Sequence, residues 1–241
     1  MSGVDAARRA AGLIGLALLV ATAASAQTVQ ELIDKNLAAR GGVDKLRSIE
    51  TVKSAGKLTG RGLTMSTTTW AKRPNKLRRE TKFPDRTITV AFDGTTVWGL
   101  DSTIGKPQPM TGPQAESARA EAGIDPLFLD YKEKGIEIEL AGTETIEGQP
   151  AHHLRVTKPG GRVAHHYVSA ETGLELRIVE TFDQGGIKTE VRTDLSNYKA
   201  VEGMQVPFTI KQYASGNLAV EFNLEQVEFN VPIDDEMFSP K

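Results

Sequence analysis

Alternation of apolar and polar residues at every second position dominates this chain over residues 51–229. Between 136 and 140 the apolar residues alternate with glutamates, and the same period recurs at 174–178 and 218–224. A period of two is typical of a strand that buries one face and exposes the other. The sequence therefore predicts a fold made mainly of antiparallel β-sheet.

Turn residues divide the alternating region at intervals of roughly eight to twelve positions, which favours a meander of hairpins. Asp93-Gly94, Glu147-Gly148 and Ser215-Gly216 are explicit tight-turn pairs. The predicted strands lie at 51–60, 63–71, 75–83, 86–92, 95–100, 136–146, 150–157, 162–169, 174–182, 187–197, 205–213 and 218–229. So many strands cannot remain flat, and we expect them to curl into an open or closed barrel with an apolar interior.

Helical signals precede the meander and interrupt it. Thr28 and Glu31 have the spacing of a capping box, and Gly41-Gly42 ends the helix that they begin. A second helical turn is predicted over 43–49. The alternation lapses between 101 and 135, where we expect a loop, a helix over 114–121 and a short apolar helix over 126–131.

The last strand and the tail have two further features. The apolar residues change parity between Leu224 and Val227, which predicts a β-bulge near Glu225-Gln226. Residues 229–238 then predict a short extension that covers an edge of the sheet.

Residues 1–26 have the layout of a secretory signal peptide. Arg8-Arg9 precedes an apolar run over 13–20, and Ala24-Ser25-Ala26 precedes Gln27. The run is shorter than the ~20 residues of a spanning helix, so we expect export and cleavage after Ala26. An uncleaved membrane anchor is the alternative.

Composition excludes several classes of site. The chain has no cysteine, which excludes a disulfide framework, a thiol nucleophile and a cysteine-ligated metal. Its 29 Lys and Arg are nearly balanced by 31 Asp and Glu, so the net charge gives no indication of nucleic acid or an anionic membrane as a partner. Residues 27–241 are enough to bury one sizeable core, and we expect a single domain.

A resemblance to a known family rests on residues 70–98. Trp70-Ala71-Lys72-Arg73-Pro74-Asn75 is followed by a strand over 88–92, the Asp93-Gly94 turn and a strand with Trp98. This pattern resembles the LolA family of periplasmic lipoprotein carriers and the wider group of outer-membrane lipoprotein-sorting proteins. The resemblance implies an α+β fold, in which a curved antiparallel sheet forms an unclosed β-barrel of about 11 to 12 strands. An N-terminal helix and a helical lid would lie on its concave face.

The resemblance also implies a function and a site. The protein would be a periplasmic carrier or chaperone that binds the acyl chains of a lipoprotein or lipid, and that exchanges them with membrane-bound donor and acceptor proteins. Arg73 would fasten the lid through hydrogen bonds to lid backbone, whereas pattern alone indicates a solvated charge at a strand end. The residues expected to line the acyl-binding cavity are Trp70, Ile88, Val90, Phe92, Trp98, Leu100, Leu127, Phe128, Ile136, Ile138, Leu140, Leu174, Leu176 and Ile178. Periodicity alone favours a filled core over a cavity, and the resemblance favours the cavity.

All four histidines lie in one predicted hairpin, as His152-His153 and His165-His166. Each face of the hairpin receives one histidine from each strand, so pairs of imidazoles can meet. Zinc or copper usually takes three or four protein ligands, and we therefore expect cross-strand packing and no metal site. The sequence also lacks known catalytic signatures, and we expect neither an enzyme nor a bound cofactor.

Three hypotheses follow for the function. The first is the lipoprotein or lipid carrier. The second is a binding module that senses a lipid or lipoprotein and acts through a protein partner. The third is a metal-dependent enzyme that uses the histidine hairpin.

Overall fold

The computed structural model describes residues 28–184 and 186–240, so the predicted signal peptide lies outside the described residues. This part of the chain forms one antiparallel sheet with helices on one face. The strands are β1 (Thr51–Gly60), β2 (Leu63–Lys72), β3 (Lys76–Lys82), β4 (Thr87–Phe92), β5 (Val97–Asp101), β6 (Gln108–Pro109), β7 (Glu137–Ile146), β8 (Gln149–Thr157), β9 (Val163–Ser169), β10 (Glu175–Gln184), β11 (Ile187–Val201), β12 (Met204–Ala214) and β13 (Asn217–Phe229). The helices are α1 (Val29–Ala39), α2 (Val43–Arg47), α3 (Gly112–Glu121) and a final 3₁₀ turn, Asp235–Phe238.

The strand order shows how the chain builds an unclosed barrel. From one edge to the other it is β6-β5-β4-β3-β2-β1-β13-β12-β11-β10-β9-β8-β7. The first strand pairs with the last at the centre, whereas β6 and β7, which follow each other in sequence, form opposite edges. The unclosed curved antiparallel sheet is therefore confirmed. All twelve predicted strands are present, and the additional strand β6 has only two residues, too few to show a period.

The predicted bulge is confirmed at the centre of the sheet, where β1 pairs with β13. Ala55 pairs with Gln226 and Gly56 pairs with Leu224, so Glu225 is the extra residue. The bulge keeps Leu224 on the same face as the residues beyond the parity change. It also brings the β13 backbone so close to Gly56 that a Cβ there would lie 2.2 Å from the Asn223 carbonyl oxygen.

Helix α1 begins and packs as its sequence predicts. The Thr28 side chain accepts a hydrogen bond from the Glu31 amide and the Glu31 side chain accepts one from the Thr28 amide, which completes the capping box. Leu32, Ile33 and Leu37 are buried against β8 and β9 in one hydrophobic cluster. Burial of each such side chain stabilises the fold by about 1.5–3 kcal/mol. We call the face that α1 covers the concave face and the opposite one the outer face.

Residues 110–136, the crossover segment, connect β6 to β7 and pass over the concave face. Within it, α3 packs through Ala115, Ala118 and Ala122 against a second hydrophobic cluster that includes Leu77 and Phe92. These three alanines lie at helical spacing, and their small side chains let the helix approach the sheet closely. No helix in the described part of the chain is long and apolar enough to cross a membrane.

The apolar helix predicted over 126–131 is wrong. Residues 127–135 form consecutive turns, and Asp130 has a positive φ of 53°, which a right-handed helix does not allow. Phe128 and Leu129 are nevertheless buried, in the cluster that α1 forms with the sheet. The apolar side chains therefore pack where expected without a helix to present them.

The tail is also located differently from its prediction. It packs on the outer face of the sheet and covers no edge: the Trp98 indole N–H donates to the Phe238 carbonyl oxygen at 2.7 Å, and Arg78 donates to the Met237 carbonyl oxygen at 2.9 Å. Phe238 is fully buried there. The buried indole donor has a partner only because the tail supplies a carbonyl group.

The close contact at Gly56 allows a test of the pairing between β1 and β13 at the centre of the sheet. Gly56→Ala is expected to lower the free energy of unfolding by about 1–3 kcal/mol, because the new methyl group collides with backbone rather than with a flexible side chain. The matched control is Gly123→Ala, whose Cβ would have no neighbour within 4 Å. Urea unfolding of both variants measures the difference, and equal stabilities would contradict the close approach at the bulge.

Candidate functional site

The candidate site is a groove on the concave face between the two hydrophobic clusters. Helix α1 covers β8 and β9, and α3 covers β3 to β5. The concave sides of the intervening strands β10 to β13 carry apolar residues that remain half-buried, among them Val191, Ile210, Phe222 and Leu224. The groove follows these strands beside the crossover segment.

One end of the groove is an apolar cavity of about 260 Å³. It lies beneath the end of α2 and the start of the turns that follow α3. The apolar residues that line it are Leu46, Ile49, Val52, Ala71, Ile124, Pro126, Met204, Val206, Leu224, Val227 and Phe229. A concave apolar lining of this kind suits a hydrocarbon ligand.

The other end is wider and more polar, with a volume of about 570 Å³. It lies between α3 and strands β10 to β12, and Glu121 lines both cavities, so the two are neighbours. Lys158 and Glu180 form an ion pair of 2.5 Å in its wall, and the Arg162 guanidinium lies over the Phe182 ring at 5.7 Å. The groove is therefore amphipathic along its length.

Most of the predicted cavity residues lie on the concave face, but none of them lines the two cavities of the groove. Val90, Phe92, Leu127, Phe128, Ile136 and Ile138 pack in or against the two clusters. Ile88, Leu140 and Ile178 share that face by register. The groove is lined instead by residues of β1, β12 and β13 that the prediction did not include, although the alternation from Met204 to Ile210 is as regular as elsewhere.

Three of the predicted cavity residues lie on the outer face. Trp70 pairs with Arg78, and Trp98 pairs with Ala91, so both tryptophans have the parity opposite to Phe92. Leu100 shares the face of Trp98. Register therefore contradicts the predicted cavity placement of these residues: Trp98 is buried where the tail covers it, and Trp70 is half-buried.

Leu174, Leu176 and Ile178 are predicted to share one face of the sheet. A bulge in β10 instead separates Leu174 and Leu176 from Ile178. Glu175 pairs with Val168 and Arg177 pairs with Tyr167, so Leu176 is the extra residue in β10. Leu174 and Leu176 line a different cavity of about 300 Å³, together with outer-face residues such as Lys211 and Tyr213. A period-two pattern does not reveal a bulge when the extra residue is itself apolar.

Arg73 joins three parts of the structure at the edge of the apolar cavity. Its guanidinium donates to the Ile49 carbonyl oxygen, just beyond α2, at 2.5 Å, and to the Leu46 carbonyl oxygen, within α2, at 3.3 Å. It also makes a two-point contact with the Asp125 carboxylate, with one hydrogen bond of 2.8 Å. The side chain is 24% exposed, so Arg73 is not a solvated strand-end charge. Asp125 raises the pKa of Arg73 through this hydrogen bond.

The contact with Asp125 differs from the one that the resemblance implies. The backbone carbonyls that Arg73 binds belong to the region of α2, and the crossover segment supplies a carboxylate. Asp125 had no role in the prediction. A charged partner therefore ties the segment by an ion pair rather than by hydrogen bonds to neutral carbonyl groups.

Two further ion pairs hold the crossover segment. Arg47 of α2 contacts the Asp130 carboxylate at 2.5 Å, and Arg79 of β3 contacts the Glu121 carboxylate at the end of α3. The hydrogen bond from Arg47 lowers the pKa of Asp130. Acidic residues of one segment thus meet arginines of α2 and the sheet at three points.

The histidines divide between the two faces as their spacing predicts. On the outer face, His153 Nε2 and His165 Nδ1 are 2.8 Å apart, and Glu144 lies 3.0 Å from His153 Nδ1. Burial lowers the pKa of His165. Within residues 28–184 and 186–240, no group of three or more His, Cys, Asp or Glu is arranged to hold a metal ion.

On the concave face, His166 is buried and belongs to a polar group that fixes α1. Its Nδ1 lies 2.7 Å from the Glu175 carboxylate, which Arg40 contacts at 3.5 Å. Burial raises the pKa of the Glu175 carboxyl, but the hydrogen bond with His166 and the charges of His166, Arg40 and Lys158 outweigh it, and the pKa lies below its usual range. Sequence reasoning missed both Glu144 and Glu175, which come from neighbouring strands.

Comparison with solved structures gives the same fold at low sequence identity. A DUF1329 family protein from Desulfovibrio piger has a TM-score of 0.62 at 14% identity, covering 88% of this chain and 97% of that one. A LolA superfamily protein from Nitrosomonas europaea has a TM-score of 0.60 at 13% identity, covering 89% and 98%. An outer-membrane lipoprotein-sorting protein domain from Vibrio parahaemolyticus has a TM-score of 0.58 at 12% identity, covering 86% and 94%.

These likenesses confirm the resemblance to LolA-like proteins at the level of fold. No protein-family model matches the chain, and no curated protein matches it.

The Arg73–Asp125 contact generates a test of how the crossover segment is held. Asp125→Asn keeps the shape and removes the charge, so amide hydrogen exchange over 122–131 should accelerate while global stability falls by only about 1 kcal/mol. Glu116→Gln is the matched control, because Glu116 is an exposed acid of α3 with no ion pair among the described residues. Exchange that is unchanged in Asp125→Asn would contradict a tethering role.

The Arg47–Asp130 pair predicts a loosening at acid pH. Because the pKa of Asp130 is lowered, its contribution is fully present above the ordinary value of 3.8 and is lost as the pH falls through the lower folded pKa. Hydrogen exchange of residues 127–131, measured across that range, should lose protection on the acid side. Asp130→Asn should remove this pH dependence, since Asn tolerates the positive φ. A wild-type-like dependence in the variant would contradict the assignment.

Proposed function

We propose that this chain is a periplasmic carrier that binds the acyl chains of a lipoprotein or lipid in the concave groove for outer-membrane sorting. The observation that carries the proposal is the apolar cavity of about 260 Å³ beside a crossover segment that ion pairs hold. The LolA-like fold supports it, because the same half-barrel occurs in the outer-membrane lipoprotein-sorting protein domain from Vibrio parahaemolyticus.

The physical driving force would be burial of hydrocarbon. Transfer of apolar surface from water contributes about 25 cal/mol per Å², so an acyl chain gains free energy in proportion to the length that the groove covers. Ile124 and Pro126 of the crossover segment line the cavity opposite residues of the sheet. Entry of a long chain would therefore displace these residues, and the Arg73–Asp125 contact next to them is the interaction that must yield.

This mechanism gives Arg73 the role of a latch. Arg73 and Asp125 remain 24% and 26% exposed, so water can replace their contact without leaving either charge buried. A latch of this kind resists opening only moderately. We propose that membrane-bound donor and acceptor proteins act on this segment, and that the protein has no catalytic role.

The proposed export accords with this function. The signal peptide predicted over residues 1–26 would direct the chain out of the cytoplasm, with cleavage after Ala26. The remaining residues would act as one domain in the periplasm.

Native mass spectrometry of residues 27–241, purified from the periplasm without detergent, tests the proposal. A discrete added mass that extracts into solvent as a lipid or an acylated peptide would support a carrier. If the protein shows no added mass after incubation with lipoprotein and forms a stable complex with another protein, the carrier proposal is overturned. That result would favour the alternative, a lipid- or lipoprotein-sensing module that acts through a protein partner.

The two faces of the sheet offer a matched pair of variants. Leu224→Gln should reduce uptake of a fluorescent fatty acid at least about fivefold, because it places an amide in the apolar cavity. Leu100→Gln, on the half-buried outer face, should leave uptake unchanged. Thermal unfolding checks that both variants fold. Equal uptake by the two folded variants would contradict lipid binding in the groove.

A further inference from the structure

The turns at the two ends of the sheet differ in charge. We call the turns 61–62, 83–86, 102–107, 158–162 and 215–216, with residue 186 between β10 and β11, the basic rim, because strand direction places all of them at one end. Their charged residues are Arg61, Asp85, Arg86, Lys106, Lys158 and Arg162, five basic and one acidic.

The opposite turns are acidic. Turns 73–75, 93–96, 147–148, 170–174 and 202–203 lie at the other end. Their charged residues are Arg73, Asp93, Glu147, Glu171 and Glu202, and Arg73 is paired with Asp125. The near-zero net charge of the chain therefore conceals a separation of charge along the strands.

Exposed apolar side chains are concentrated at the same end as the basic charge. Among the described residues, four large aliphatic side chains are exposed, namely Leu63, Ile104, Leu140 and Leu218. Ile104 lies in a turn of the basic rim, and Leu63 and Leu218 follow two such turns within two residues. They are 67%, 54% and 52% exposed, whereas Leu140, within edge strand β7, is 39% exposed. Single exposed apolar residues are ordinary, but three together with a basic surplus at one end are not.

We propose that the basic rim docks on an anionic phospholipid bilayer. Cationic side chains near such a surface are attracted to its negative potential, and apolar side chains at loop tips can enter the interface. Lys158 is neutralised by Glu180, and Arg86 lies 3.6 Å from Asp101. Arg61, Lys106 and Arg162 make no ion pair among the described residues, so their charge is free to act on a membrane.

The polar end of the groove lies beside the basic rim. Lys158 and Arg162, in one turn of the basic rim, also line the polar cavity of about 570 Å³. The polar end of the groove therefore opens at the docking surface, and a bound molecule would enter or leave towards the membrane. Docking itself needs only the rim and is independent of whether the groove holds a lipid.

Flotation with vesicles tests the proposal. The wild-type protein should bind vesicles of phosphatidylcholine with phosphatidylglycerol, bind pure phosphatidylcholine weakly, and lose binding as salt is raised. The double variant Arg61→Glu with Lys106→Glu should weaken partitioning about tenfold or more. The control, Lys45→Glu with Lys199→Glu, makes the same charge change near turn 202–203 at the opposite end and should behave as wild type.

The apolar part of the rim has its own matched control. The variants Leu63→Ser, Ile104→Ser and Leu218→Ser should each weaken flotation, whereas Leu140→Ser should not. Leu224→Gln, which alters the groove, should float as wild type even if it fails to take up lipid. The proposal is overturned if wild type does not float with anionic vesicles, or if rim and control variants float equally. A dimer that the rim substitutions dissociate would assign the rim to a second copy and would also overturn it.

Discussion

The pairing of β1 with β13 is the constraint on which the rest of the structure depends. Because the first and last strands meet at the centre of the sheet, the chain runs outwards to one edge and must then reach the other edge before it can return. Residues 110–136 make that crossing on the concave face, where α3 and the turns around Phe128 pack. The cover over the groove therefore follows from strand order, and the bulge at Glu225 with Gly56 opposite it makes that central pairing possible.

The crossover segment is attached in two ways that differ in strength. Ala115, Ala118 and Phe128 are buried in the core and anchor its two halves. Between and beside them, Arg73–Asp125 and Arg47–Asp130 are partly exposed ion pairs, which contribute little net stability each. The middle of the segment can thus move while its anchors stay in place, since displacing the ion pairs costs far less than displacing a buried aromatic ring.

The sequence predicts the strands, the capping box and the central bulge because each of these depends on neighbours within a few residues. It does not predict which side of the sheet Trp98 faces, since that side is determined by a tail 140 residues away that supplies the carbonyl for its indole. The face of Leu176 is predicted wrongly because Leu176 is the extra residue of a bulge in β10. The bulge leaves no trace in the alternation, since the extra residue is itself apolar. Asp125 and Glu175 matter through partners that are distant in sequence, and no spacing rule relates them to Arg73 or Arg40. A role for Arg73 follows only from the resemblance over residues 70–98, since pattern alone indicates a solvated charge.

The groove is left open because the helices within residues 28–184 and 186–240 are too few to cover the sheet. A helix is about 10–12 Å across and strands lie about 4.8 Å apart, so one helix covers only two or three strands. Helices α1 and α3 account for the concave sides of β8–β9 and β3–β5, and the turns of the crossover segment fill part of the space between. The apolar side chains of β12 and β13, such as Ile210 and Phe222, have no second layer assigned to them by the fold. Incomplete burial of these side chains costs stability, and the proposed hydrocarbon ligand would complete it.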